Sequence, residues 1–217
     1  MSRKIIKSWN GSDSLLSRVG EKIRGRKPTL KERVSHAIYR LKVQKTKLEN
    51  ASSRIENHDK SLFEKCVKAQ IAKDSARAIM YANECVELRK VAKTTLRCQL
   101  ALEKVLLRLE TIRDFGEVAS LMAPVVDVVQ AVKTEISGIM PEVAFELNEI
   151  GEVLGDVVTE MGETVGISEE DVHPSSEAMK IIEEANAVAE QKMKEKFPEL
   201  PLQVMHPIEE SSGTKLK

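Results

Sequence analysis

Aromatic side chains are scarce in this sequence, whose 217 residues include one tryptophan, two tyrosines and four phenylalanines. Compact globular cores depend on aromatic side chains for much of their buried area. The apolar content is instead alanine, valine, isoleucine, leucine and methionine, a mixture typical of long helices packed side by side. No stretch alternates apolar and polar residues as a strand does. We therefore predict an all-α protein.

Long apolar runs are also missing. None reaches the roughly 18 residues that a transmembrane helix needs, and residues 1–27 lack the apolar segment of a secretory signal. The three cysteines (Cys66, Cys85 and Cys98) are odd in number and show no metal-ligand spacing, which indicates buried thiols in a reducing compartment. We expect a soluble cytoplasmic protein.

The sequence shows no pattern for catalysis or metal binding. The four histidines (His36, His58, His173 and His206) lie far apart, and none has a second ligand at helical spacing. There is no glycine-rich phosphate loop, and adjacent glutamates occur in acidic segments rather than in apolar pockets that would raise a carboxyl pKa. We expect no catalytic residue, no metal, no cofactor and no enzymatic activity.

Charge is divided between the two halves of the chain although it sums to zero. Residues 1–113 contain 27 lysines and arginines against 12 acidic residues, which leaves +15, and residues 114–217 contain 7 against 22, which leaves −15. A basic half attracts anionic lipid or nucleic acid, and an acidic half of the same chain could fold back and mask it. Two solvated faces without a function are the alternative.

The basic half opens with a candidate membrane-binding segment, residues 1–27. Basic and apolar residues recur there at helical spacing, as in amphipathic helices at a membrane surface, and Trp9 is the only tryptophan of the chain and a candidate interfacial anchor. A disordered basic tail, or a helix packed on the core, remains the alternative. The predicted membrane-binding residues are Arg3, Lys4, Ile5, Ile6, Lys7 and Trp9.

A helical core is predicted for residues 28–163, and its first part is a long antiparallel hairpin over about 30–113. Pro28 suits the first turn of a helix, and the apolar seam that follows predicts a first helix over 30–55. The only turn-like break before the next helical pattern is at 57–59. The second helix is therefore expected over 60–113, with Met80 on its apolar stripe.

Shorter acidic helices are predicted over 116–163. Apolar residues recur every three or four positions there, Pro124 kinks or restarts the helix, and Pro141 opens the next one. We interpret the interior glycines of this region as hinges. Residues 164–197 are predicted to hold a linker and a final amphipathic helix, whose apolar side consists of Met179, Ile182, Ala189, Met193 and Phe197.

The order of these segments resembles the ESCRT-III family, and specifically the archaeal cell-division (Cdv) filament proteins. The shared order is a basic amphipathic start, a basic hairpin, a charge reversal at Phe115-Gly116, acidic helices, a linker, a final helix and a proline-rich tail. The resemblance implies polymerisation with itself and with paralogous ESCRT-III subunits on anionic membrane lipids. It implies constriction or cutting of the membrane neck in cell division, with vesicle budding as a further process, at the inner face of the cell membrane.

The tail, residues 198–217, carries the sharper part of the resemblance. Phe197-Pro198-Glu199-Leu200-Pro201 has the form apolar-Pro-x-apolar-Pro and resembles the second class of MIT-interacting motif. In that family the motif occupies a groove of the MIT domain of the AAA ATPase that disassembles the filament, and prolines favour such binding because they pre-set an extended chain. The resemblance implies MIT binding by Phe197, Pro198, Leu200, Pro201 and Val204.

The sequence departs from the family pattern in one feature. Some archaeal members have a carboxy-terminal winged-helix domain, for which this sequence has no room, so we expect a shorter paralogue. Two other functional classes also fit the residues. One is a coiled-coil scaffold or stalk subunit of a larger assembly. The other is a nucleic-acid-binding helical protein. The basic half of this chain has few aromatic residues for base stacking, so we expect no nucleic acid as a partner.

Overall fold

Five helices form the part of the chain that the computed structural model describes, residues 28–115, 122–165 and 176–200. No strand occurs within those residues, and the predicted all-α fold is confirmed. None of their helices is both long enough and apolar enough to span a membrane. The helices are α1 (Leu30–Ile71), α2 (Ser75–Phe115), α3 (Ala123–Ile136), α4 (Pro141–Val165) and α5 (Ser176–Lys196).

Helices α1 and α2 form the predicted hairpin. They contain 42 and 41 residues, so each arm is about 60 Å long at about 1.5 Å per residue. Helix α1 begins with a capping box in which the Glu32 N–H donates to the Thr29 hydroxyl at 3.2 Å and the Thr29 N–H donates to the Glu32 carboxylate at 2.7 Å. These bonds satisfy amide donors that have no partner within the helix.

The turn of the hairpin lies at residues 72–74, so the predicted break at 57–59 is wrong. Helix α1 continues past that point because Asp59 faces α2 and forms an ion pair with Arg89 at 2.7 Å. At the true turn, Lys73 adopts a left-handed backbone with φ 58°, and the Asp74 carboxylate accepts the Arg77 N–H at 3.1 Å. The arms are therefore nearly equal in length.

The main hydrophobic core lies at the open end of the hairpin. Leu41, Leu102, Val129 and Leu147, one from each of the first four helices, are completely buried there. A separate, smaller cluster near the turn consists of one cysteine and three alanines (Cys66, Ala69, Ala78 and Ala82), and such small side chains let the two helices approach closely. The acidic helices α3 and α4 therefore cover only the open end.

Prolines open both acidic helices, as predicted. Pro124 lies in the first turn of α3, and Pro141 is the first residue of α4. Helix α4 runs without interruption through Gly151 and Gly155. A Cβ atom added at Gly151 would lie 2.6 Å from the Gln130 nitrogen of α3, which is the end of a flexible side chain.

Helix α5 packs along α2 and also contacts α3. Its buried residues are Ala178, Ile181, Ala185 and Ala189, whereas Met179 is 57% exposed. The predicted apolar side is therefore right at Ala189 and wrong at Met179, and the buried face begins with Ala178 and Ile181, one residue before the predicted Met179 and Ile182. The reason is that the packed face holds the small residues, which bring α5 close enough to α2 for side-chain ion pairs. Met80 of α2, 51% exposed, is likewise not on the packed stripe.

Candidate interaction surface of the hairpin

Two arginines on one side of α1 bind carboxylates of α4. Arg40 donates to Glu146 at 2.9 Å and to Glu149 at 2.7 Å, and these hydrogen bonds raise the pKa of Arg40. Arg33, two turns earlier on the same face, donates to Glu160 at 2.8 Å. The amino-terminal half of α1 is therefore joined to α4 by charge as well as by the core.

Cations of α2 pair with acidic residues of α3 and α5. Arg97 contacts Glu135 of α3 at 2.9 Å. The hydrogen bonds from Lys93 and Lys104 lower the pKa values of their partner carboxyls on α5. The three pairs with α5 run antiparallel along the two helices and are Lys93–Glu190 at 2.9 Å, Lys104–Glu184, and Arg108–Glu177 at 2.8 Å.

The basic hairpin and the acidic carboxy-terminal helices thus pack against each other, as the charge division predicted. The α5 carboxylates in these pairs remain 44–59% exposed. Ion pairs that face water contribute little singly and weaken with salt. Because α5 also buries three alanines and only one larger side chain, it is the helix held least firmly among those described.

Other cations remain exposed on the half of α1 that α3 and α4 do not cover. Arg54, Lys60, Lys65 and Lys68 all lie there at the surface. Residues 1–27, and with them the predicted membrane-binding residues Arg3, Lys4, Ile5, Ile6, Lys7 and Trp9, lie outside the described part of the chain.

The predicted MIT-binding residues divide between the two parts of the chain. Phe197, Pro198 and Leu200 are described and follow α5 directly, whereas Pro201 and Val204 fall outside the described residues. Phe197 and Leu200 are partly buried and Pro198 is exposed. The motif begins where α5 ends, because proline cannot continue a helix.

The sequence reasoning missed the pair that meets this tail, Asp59 and Arg89. The Arg89 Nη1 atom donates to the Pro198 carbonyl at 2.7 Å, and its guanidinium carbon lies 5.5 Å from the centre of the Phe197 ring. The sequence did contain a signal for this pair, because Asp59 lies on the apolar seam of a helix. A buried acid requires a cation opposite it, so a basic partner on the other arm could have been predicted.

The three cysteines are buried, as predicted. Burial raises the pKa of Cys98 to about 12 and that of Cys85 to about 11, so these thiols stay protonated and poorly nucleophilic. Within residues 28–115, 122–165 and 176–200 there is no group of three or more histidine, cysteine or acidic side chains that could hold a metal ion.

No family model and no solved structure matches the chain. Cell division protein B1 of Sulfolobus acidocaldarius is 43% identical to it over 201 residues, which cover 93% of this chain and 91% of that protein. The chain belongs to the archaeal, ESCRT-III-like cell division protein B family. Cell division protein B of the same organism is another member, 36% identical over 181 residues that cover 82% of this chain and 68% of that protein. A single organism therefore holds paralogues of this family.

Proposed function

We propose that this member of the cell division protein B family is a polymer subunit that assembles on anionic membrane and constricts or cuts the neck of the dividing cell. The observation that carries the proposal is that acidic helices cover the basic hairpin. The outermost of these helices, α5, is held by exposed ion pairs and small residues. Such a cover is suited to reversible release, because its ion pairs are exposed and it buries only one large side chain.

Release of α5 frees the cations Lys93, Lys104 and Arg108 of α2. In the open subunit these cations bind acidic segments of neighbouring copies or of paralogous subunits. The face of α2 that α5 leaves, together with the freed charges, then provides the contact between subunits. The closed form is the monomer and the open form is the polymer.

Membrane contact comes from the amino-terminal half of the chain. Arg54, Lys60, Lys65 and Lys68 are exposed cations of α1, with the exposed Glu64 among them, and each cation near an anionic bilayer contributes about 1 kcal/mol. Insertion of Ile5, Ile6 and Trp9 into the interface adds an apolar term. The protein acts from the inner face of the cell membrane at the division site, and the same activity serves vesicle budding.

Disassembly is carried out by an AAA ATPase whose MIT domain binds Phe197, Pro198, Leu200, Pro201 and Val204. The ATPase hydrolyses the nucleotide, so the subunit itself needs neither a cofactor nor a catalytic residue. Replacement of Pro198, Leu200 and Pro201 by alanine should weaken binding of the isolated MIT domain in a calorimetric titration. An unchanged affinity removes this part of the proposal.

The polymer proposal is tested by cosedimentation and electron microscopy with anionic and with zwitterionic liposomes. The variant Glu184→Gln/Glu190→Gln removes two ion pairs with α2, and we expect it to bind anionic liposomes and to assemble more readily than the native chain. The control Glu183→Gln/Glu195→Gln makes the same change in net charge at exposed carboxylates of α5 that form no ion pair with the hairpin in the described residues. It should behave as the native chain does.

Two results would contradict the proposal. If both variants and the native chain form stable rods that ignore liposomes at every salt concentration, the chain is a coiled-coil scaffold or stalk subunit instead. If the two variants gain lipid binding equally, the gain reflects net charge alone, and the α5 pairs do not control assembly.

A further inference from the structure

Arg89 joins three separate parts of the chain. Its Nε and Nη2 atoms donate to the two Asp59 carboxylate oxygens at 2.7 and 2.9 Å. Its Nη1 atom donates to the Pro198 carbonyl at 2.7 Å, and its charge lies 5.5 Å from the centre of the Phe197 ring. One guanidinium therefore contacts α1 and two consecutive residues of the tail.

The ion pair is a built feature of the hairpin. The Asp59 side chain is 2% exposed and that of Arg89 is 16% exposed, and both residues belong to the hairpin arms. A two-bond contact with a carboxylate fixes the plane of the guanidinium. The ion pair with Asp59 therefore orients the Nη1 atom of Arg89 towards the tail, and the tail takes no part in that ion pair.

The start of the tail is guided to this edge. The Phe197 N–H still bonds to the Met193 carbonyl at 3.0 Å, and Lys196 pairs with Glu56 of α1 at 2.7 Å. Beside the contact, an open groove of about 660 Å³ is lined in part by Val86, Met193 and Leu200. The segment Phe197–Leu200 therefore follows the end of α5 directly, contacts α2 at Arg89 and forms part of the wall of this groove.

We propose that Asp59 and Arg89 form a docking site on the hairpin for Phe197–Leu200, and that this site competes with the MIT domain for the segment. The inference rests on the proposed binding of the tail to an MIT domain. Arg89 contacts the Phe197 ring and the Pro198 carbonyl. Binding in an MIT groove would require the segment to give up these contacts, so it cannot occupy the hairpin and an MIT groove together. The ATPase then engages a subunit only after the tail has left Arg89.

The variant Arg89→Lys tests the docking site. Lysine keeps a positive charge beside Asp59 but lacks the planar fork that contacts a carboxylate and a carbonyl together. The matched control is Arg97→Lys, because Arg97 lies on the same helix and pairs with Glu135 of α3. Should Arg89→Lys unfold, the double variant Asp59→Leu/Arg89→Leu replaces the buried pair with apolar side chains, a change that other proteins often tolerate.

The first measurement is calorimetric titration of the MIT domain into the full chain and into a synthetic peptide of residues 193–207. We expect the peptide to bind more tightly than the native chain, because only the undocked fraction of the chain is competent. Arg89→Lys should gain roughly tenfold in affinity, since an ammonium group cannot contact the Asp59 carboxylate, the Pro198 carbonyl and the Phe197 ring together as the guanidinium does. Arg97→Lys should be unchanged. Equal affinities of the peptide and the native chain, or of the two variants, overturn the competition.

A second measurement keeps the docking site separate from the proposed role of the tail. In fluorine NMR of the full chain labelled with fluorophenylalanine, the Phe197 resonance is assigned by its loss in Phe197→Leu. Arg89→Lys should move this resonance towards its position in the free peptide, and an unmoved resonance overturns the docking site. A peptide that fails to bind the MIT domain refutes the proposed tail function instead.

Discussion

Helix α5 relies on one large side chain for its apolar contact with the rest of the protein. Ile181 is 6% exposed, and the other buried residues of α5 are Ala178, Ala185 and Ala189. Replacing Ile181 with alanine removes roughly three buried carbon groups, and at about 0.8 kcal/mol for each the contact loses about 2–3 kcal/mol. Alanine has the higher helix propensity, so the helicity of α5 itself is not reduced.

The expected result is a larger population of subunits with α5 detached. A loss of about 2–3 kcal/mol raises that population roughly 30- to 150-fold, since about 1.4 kcal/mol corresponds to tenfold. Hydrogen exchange measured by mass spectrometry should show faster exchange of the α5 amides in Ile181→Ala. Amides of α2 around the completely buried Leu102 should keep the native rate, because they belong to the main core. Binding to anionic liposomes should increase in parallel.

Met179→Ala is the matched control, because Met179 lies on the same helix and is 57% exposed. It should leave exchange in α5 close to the native rate. The reasoning is refuted if Ile181→Ala leaves the α5 amides unchanged, or if it accelerates exchange in α5 and α2 by the same factor. The second result would mean that α5 opens only when the whole protein unfolds.

Three further predictions concern charge, backbone and thiols. Pairing with lysines lowers the pKa of Glu184 and Glu190 below the ordinary 4.5, so the stability that these ion pairs give to α5 is complete above that value and is lost as the pH falls through the lowered pKa. Amide exchange of α5, corrected for its intrinsic pH dependence, should therefore accelerate in acid and in high salt. An unaltered rate contradicts the role of the pairs. Gly155→Ala should stabilise the protein by about 0.5–1 kcal/mol in thermal unfolding, because an added Cβ at this helical position meets nothing within 4 Å; a lower melting temperature would reveal strain there. Cys85 and Cys98, with pKa values raised to about 11 and 12, should resist a thiol reagent near neutral pH until the chain unfolds, and rapid labelling of the native protein would be inconsistent with their burial.

The hairpin could be predicted from local patterns, but its turn could not. The seam of apolar residues after Pro28 is a local signal, and it predicted the start of α1 correctly. The residues at 57–59 have turn preferences, yet α1 passes through them because Asp59 finds Arg89 on the other arm. The real turn at 72–74 carries neither glycine nor proline, so local propensity gave no clear signal for it.

For the ion pairs of the site, the sequence likewise predicts the kind of contact but not the residues that make it. The sequence predicts that a basic hairpin meets acidic helices, because opposite charges in one chain attract. It does not predict that Lys93 meets Glu190 or that Arg97 meets Glu135. Surface cations are interchangeable in a sequence pattern, and only the register of packed helices selects which of them face each other.

The sequence by itself determined an all-helical chain, its division into a basic and an acidic half, and the proline motif that begins at Phe197. These properties depend on side-chain type and spacing, which are local. Tertiary structure alone decided the position of the hairpin turn, the face of α5 that is buried, and the contact of Arg89 with Pro198. Each of these depends on residues far apart in the chain, and the packing of small side chains sets how closely their helices approach.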